Sequence, residues 1–197
     1  MPRTGEQPHH EPTRLSIPAL VLAWLLPGAG HFFLGQVRRG VLIGVGVLSL
    51  FFSGLFVGGI DVVDSGLVVS NTFRKVTGQT ATRQVTPDGD AIWFVGQAFT
   101  GPVAFVVDIV HQHRFKVIDP AEPRVLRSAR PDEGRDPVTG MAVIGGTPPV
   151  TKSLARVNEI GTLFCTLAGL LNLIAMIDAG WNHRPRRGEP GYAGGAT

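Results

Sequence analysis

Residues 41–60 read VLIGVGVLSLFFSGLFVGGI, twenty positions without a charge. Wound as a helix at 1.5 Å per residue, the run is roughly 30 Å long, about the thickness of a bilayer's hydrocarbon layer. Residues 160–177, bracketed by Glu159 and Asp178, supply eighteen more uncharged positions. A helix that is apolar on every side needs lipid or a large core around it, and 197 residues make only one ordinary domain. Hydrophobic residues are 44% of the chain and charged ones 17%, so the apolar residues are concentrated in such runs. The expected fold class is an all-α integral membrane bundle of about four transmembrane helices.

The remaining two spans are less regular. LSIPALVLAWLL (residues 15–26) is interrupted by Pro27-Gly28-Ala29-Gly30 before His31-Phe32-Phe33-Leu34-Gly35. Twelve residues rise only about 18 Å, so this helix either continues through a kink or breaks where neighbouring protein covers it. With the short polar turn at residues 36–39, residues 15–60 read as a tight transmembrane hairpin carrying a Pro-Gly break. Residues 91–110 are the weakest span, containing Gln97, Thr100, Gly101-Pro102 and Asp108. At helical spacing Gln97, Gly101, Ala104, Asp108 and His111 share one stripe, and a second stripe follows Glu159, Thr162, Thr166, Gly169 and Asn172. Each is the pattern of a membrane helix with one face against protein or water.

Between the spans, residues 1–14 read as a flexible tail, 61–90 as a polar loop, 111–159 as a basic polar loop, 160–178 as the last span and 179–197 as a basic flexible tail. Within the 61–90 loop strand character is limited to Leu67, Val68 and Val69. Arg3 and Arg14 precede an apolar stretch, yet no Ala-x-Ala site comes after it, so the first run is read as a retained segment. A net charge of +3 comes from basic residues beside apolar runs, with no nucleic-acid motif among them, so a lipid surface is the expected partner and nucleic acid is not. The single cysteine, Cys165, excludes an intrachain disulfide.

Orientation is evenly balanced. Four spans put residues 1–14, 61–90 and 179–197 on one side with 2, 3 and 3 basic residues, and the 36–39 turn and 111–159 loop on the other with 2 and 8. Arg38 and Arg39 in the short turn favour a cytoplasmic turn and loop; the Arg-rich C-terminal tail favours the reverse.

The string Pro27-Gly28-Ala29-Gly30-His31-Phe32-Phe33-Leu34-Gly35, followed by Arg38-Arg39-Gly40, resembles the first-helix signature of the two-transmembrane-helix domain family. It is still more similar to an uncharacterised bacterial family of multi-pass membrane proteins. There a Pro-Gly-x-Gly-His string is combined with a C-terminal segment like Glu159-Ile160-Gly161-Thr162 through Ala168-Gly169-Leu170-Leu171-Asn172, ending in Asp178-Ala179. The likeness covers residues 20–45 and 158–179. The two-helix family's acidic turn residue is replaced here by Gln36-Val37-Arg38-Arg39, so a role tied to that acid does not carry over, and the closer family brings no activity with it.

The candidate polar residues are therefore His31, Arg38, Arg39, Gln97, Asp108, His111, Asn172 and Asp178. His31 is read first as a hydrogen-bond partner for a carbonyl freed near Pro27, with ligand binding and acid–base work as alternatives. Asp108 is read as a headgroup-level cap near His111, His113 or Arg114, or else as a proton or ion relay, since a charge in lipid costs at least roughly 2.5 kcal/mol. Asp178 has the same two readings beside Trp181 and Arg184. His111-x-His113 offers two metal ligands without a third, so no metal is assigned. Pro27, Gly28, Gly30 and Gly35 belong to the helix break. Gly40/Gly44 and Gly54/Gly58 are small-xxx-small pairs suited to packing within the chain or to a homo-oligomer.

No phosphate loop, zincin helix or Gly-x-Ser-x-Gly elbow is present, so no catalytic residue or cofactor is assigned. The leading expectation is a non-enzymatic envelope scaffold or partner subunit of the cytoplasmic membrane. The alternatives are a small transporter or channel component using the Gln97/Asp108/His111 stripe, and an intramembrane enzyme centred on His31.

Overall fold

The computed structural model describes residues 15–66, 84–85, 91–123, 125–146 and 156–181. The expectations for both tails, for Leu67 to Val69 and for most of the 61–90 loop lie outside these residues. Among the described residues two helices are long and apolar enough to cross a membrane: α3 (Val37–Gly58, 22 residues) and α6 (Arg156–Gly180, 25 residues). Both stay apolar for at least five turns without a proline. Much of their apolar surface is left uncovered, with Leu42, Val45, Leu163 and Ile174 all exposed and Phe56 88% exposed.

The other two apolar runs are each broken into short helices. α1 (Ile17–Leu25) ends one residue before Leu26-Pro27, and α2 (Ala29–Phe33) comes next. α4 (Ala91–Gln97) passes through a 3-10 turn (Ala98–Thr100) into α5 (Pro102–Val110) and a π-helical turn (His111–Phe115). Proline can start a helix but not continue one, so Pro27 and Pro102 each mark a stop and a restart. Gly28 (φ 86°) and Gly101 (φ 98°) hold the left-handed backbone that reverses the chain.

Reversal is what separates this fold from four straight spans. A Cβ on Gly30 would lie 2.8 Å from the Ala23 side chain and collide with the Ala19 carbonyl. In a continuous helix, residues 19 and 30 stand about 16 Å apart. α2 therefore doubles back along α1. Likewise the Phe94 and Phe105 rings meet edge to face with centroids 5.5 Å apart, which a continuous helix forbids. Each short pair enters and leaves at the same end of the α3/α6 pair, and the two use opposite ends. Ser16 N–H donates to Gly180 O at one end, whereas Gly58 packs on Gly161 at the other. Among the described residues, two of the four expected spans are long helices and two are folded-back pairs.

The long helices run antiparallel at backbone contact. A Cβ on Gly161 would lie 2.6 Å from the Gly58 Cα, and one on Gly54 2.6 Å from the Cys165 sulfur. Gly40 faces the Gly28 carbonyl and Gly44 the Pro27 carbonyl. Both small-residue pairs on α3 are thus used inside the chain. Val47, Phe51, Val62, Val63, Phe94, Ala104, Cys165 and Ala168 form the main core, and Ala19, Ala23, Met176 and Ala179 a second one under α1.

The described residues of the 111–159 stretch, with Gln84 and Val85, build a small β module. β2 (Val117–Ile118) pairs antiparallel with β3 (Val125–Arg127), which pairs parallel with β1 (Gln84–Val85); β4 (Glu133–Arg135) and β5 (Ala142–Ile144) form a hairpin. Arg127 pins it, bonding Asp119 at 2.6 Å and both Glu133 oxygens at 2.6 and 2.8 Å. These Arg127 bonds, with the Arg130 N–H, hold the Glu133 carboxyl down at about 2.

In Gly169→Ala the new methyl meets the Gly96 carbonyl, a backbone obstacle; thermal unfolding in detergent should show a loss of about 1–3 kcal/mol. Gly46 has open space around it, so Gly46→Ala should be neutral or gain up to about 1 kcal/mol. Because the folded Glu133 pKa lies below its ordinary value, its contribution is complete above the normal carboxylate range and vanishes as pH falls towards 2. Carbon-13 titration should find its midpoint near 2, and Arg127→Ala should raise it towards the free value of roughly 4.3, short of it by what Arg130 still contributes.

Candidate functional site

A helix that breaks leaves backbone carbonyls without their i+4 donors, and inside a protein each must find another. Here both breaks find the same one. Asn172, fully buried near the middle of α6, donates from Nδ2 to Ala23 O at 3.1 Å and to Phe99 O at 2.8 Å. Trp24 adds a bond from its indole N–H to Ala98 O at 3.1 Å, and Gly101 lies so close to the Trp24 carbonyl that a Cβ would collide with it. The tips of the two folded-back pairs therefore meet beside Asn172. Gly169, one turn earlier, lets α4 touch α6 at Gly96.

Three oxygens at these tips are buried and bond to nothing among the described residues: Asn172 Oδ1, Gln97 Oε1 and Thr100 Oγ1. The Gln97 amide N–H is spent on Val62 O at 2.8 Å, which leaves its oxygen free to accept. An acceptor held dry and unpaired costs about 1–3 kcal/mol, so three together constitute either a standing cost or a place for a guest.

At one end of the long helices His31, fully buried on α2, places Nε2 2.7 Å from Asp178 Oδ2, and Arg39 Nη2 reaches the same oxygen at 3.0 Å. The expected bond from His31 to a carbonyl near Pro27 is not what forms; Asp178 takes its place because α2 turns back towards the end of α6. Asp178 in turn faces His31 and Arg39. Arg38 is exposed, as is Gly35 in the turn.

The opposite end holds a second polar cluster. Asp108 accepts from Ser65 N–H at 2.8 Å, Ser65 Oγ–H at 2.7 Å and Gln112 Nε2 at 3.2 Å. It therefore fastens the segment after α3 to α5, one turn before buried His111, with Ser65 and Gln112 as its partners. His111 Nε2 lies 3.2 Å from Asp61 Oδ1, and Asp64 is bonded by Lys116 Nζ and Gln112 Nε2, each at 2.6 Å. His113 is exposed, and its carbonyl accepts from Arg135. Asp61 and Asp64, some fifty residues before His111, join it only because Gly59 (φ 85°) turns the chain back after α3. Their acidity was visible in the sequence; their destination was not.

All five members of the 97–111 stripe are buried, as are Thr162, Thr166, Gly169 and Asn172, while Glu159 is exposed. The two stripes meet at Gln97–Gly169, where a Cβ on Gly169 would lie 3.2 Å from the Gln97 Cα, and Thr166 and Asn172 pack beside them on Gly96 and Phe99. The single thiol is buried and donates to Phe51 O at 3.4 Å, so it belongs to the helix contact.

Asn172→Leu removes both donors at the meeting point while keeping the volume close. It should lower stability by about 2–5 kcal/mol, read from chemical denaturation in detergent, with Asn172→Gln recovering part of the loss.

The chain belongs to DUF6677, a family of unknown function whose model matches residues 18–189. No curated protein and no solved structure matches it.

Proposed function

We propose that this member of the DUF6677 family is a cytoplasmic-membrane protein of two full spans, α3 and α6, with two short helix pairs dipping in from opposite faces. In this arrangement it acts as a transport component for a small monovalent cation or proton. The observation that carries the reading is the set of three buried, unpartnered oxygens where both broken helices end. Irregular backbone at membrane depth is tolerated only where protein covers it or a polar cavity needs it, and broken helices that meet mid-membrane are a recurrent way to hold an ion. α1 and α4 both run inward, so their carbonyl ends meet at Asn172. Carboxylates stand at both mouths, Asp178 at one and Asp61, Asp64 and Asp108 at the other.

The scaffold reading is second. It rests on small-residue packing faces, few charges in the apolar runs and no assembled catalytic set, and the faces on α3 pack against the chain's own backbone. What favours it is the β4–β5 hairpin, where Val138 is 91% and Ile144 83% exposed and open to a partner in the envelope.

The two-span arrangement puts the 36–39 turn and the β module on opposite faces, whereas four spans put them on the same face. In a Cys165→Ser background, Arg38→Cys and Val138→Cys should react with an impermeant maleimide from opposite sides of the membrane. Labelling from one side would return the protein to four spans. For transport, Thr100→Val is the telling change, because its hydroxyl bonds to nothing in the described fold. Sodium, rubidium and proton flux into proteoliposomes should fall at least tenfold with no loss of thermal stability. A variant that gains stability at unchanged flux would leave the hydroxyl a mere packing defect and remove the transport reading.

A further inference from the structure

The cluster at the end of α5 has the composition of a metal site as well as that of a latch. Asp61, Asp64 and His111 each offer one ligand atom, and these atoms lie within 4.8 Å of one another. A tetrahedral zinc ion with bonds of about 2.0–2.2 Å sets its ligands roughly 3.3–3.6 Å apart. His111 Nε2 and Asp61 Oδ1, at 3.2 Å, already stand close to that spacing.

A second observation points the same way. Gln112, 3% exposed, has its amide nitrogen 2.6 Å from Asp64 Oδ1, yet its oxygen is buried with no partner among the described residues. The amide nitrogen is the atom that faces the ligands, reaching Asp108 Oδ1 at 3.2 Å as well, and it holds Asp64 in place from the second side. His111, 1% exposed, likewise has Nδ1 unpartnered, so only one ring nitrogen is engaged in the protein's own bonds.

We propose that Asp61, Asp64 and His111 bind a divalent transition cation, zinc being the best match. Imidazole together with carboxylates selects zinc or a neighbouring transition ion over magnesium and calcium, which take oxygen alone. Lys116 Nζ, 2.6 Å from Asp64 Oδ2, is the competing counter-charge. The ion and the ammonium are alternative partners for one carboxylate, so binding is tuned by Lys116. Occupancy fastens the segment after α3 to the π-helical turn, across some fifty residues of chain. The site stands on the fold alone and does not depend on the transport reading.

The test uses the full chain, stripped with EDTA in mild detergent and titrated with zinc against a chromogenic chelator. One equivalent should bind. Asp61→Asn and Asp64→Asn, near-isosteric changes whose fold is checked by elution volume and helical circular dichroism, should weaken it at least tenfold. Lys116→Met should tighten it, an effect that a purely structural ion pair does not produce. Zinc should also raise the melting temperature of the unaltered protein and not that of Asp61→Asn. Absence of stoichiometric binding would overturn the proposal. So would affinity unchanged in both Asn variants, which would place the ion on other histidines.

Discussion

One side-chain amide joins the parts of this molecule that its sequence leaves incomplete. Proline and glycine end α1 and α4 after 9 and 7 residues, and the buried carbonyls so released need donors. Asn172 supplies one to each break. With that amide in place, two short pairs of helices become a stable filling between two long ones. Without it, both tips would hold unpaired backbone, and the fold-back would lose its reason.

The glycines act in support of that contact. Gly58 against Gly161, and Gly96 against Gly169, bring helix backbones to within a side chain's thickness. Such proximity is what lets a short amide reach two neighbouring elements at once. Association of this kind comes from close packing of backbone on backbone. It explains why the outward faces of α3 and α6 keep large apolar residues while their facing sides are small.

The sequence made α3 and α6 legible because an uninterrupted apolar run of that length has few other uses. It also marked both breaks, at Pro27-Gly28 and Gly101-Pro102, and showed which residues of 97–111 share a buried side. It did not reveal that the chain doubles back. A break frees the direction of the next segment, and the new direction is set by distant partners: Asp178 for His31, Asn172 for Phe99. The His31 reading failed for that reason. Asp61 and Asp64 were hidden likewise, since nothing local ties an acidic loop to a histidine fifty residues on. The strands of the β module are two or three residues long, too short for alternation to register.

The bond from Ser16 to Gly180 joins the first described helix to the last. Asn172 and Asp178, which complete α1 and α2, are also translated near the end. At a ribosome's pace of about 5–20 residues per second, the first pair emerges roughly 7–30 s before its partners exist. During that interval it carries a broken backbone and a histidine without its carboxylate, and no part of the nascent chain can close the gap. A chain truncated before α6 would lack Asn172, Asp178 and Gly180, the partners on which α1 and α2 close.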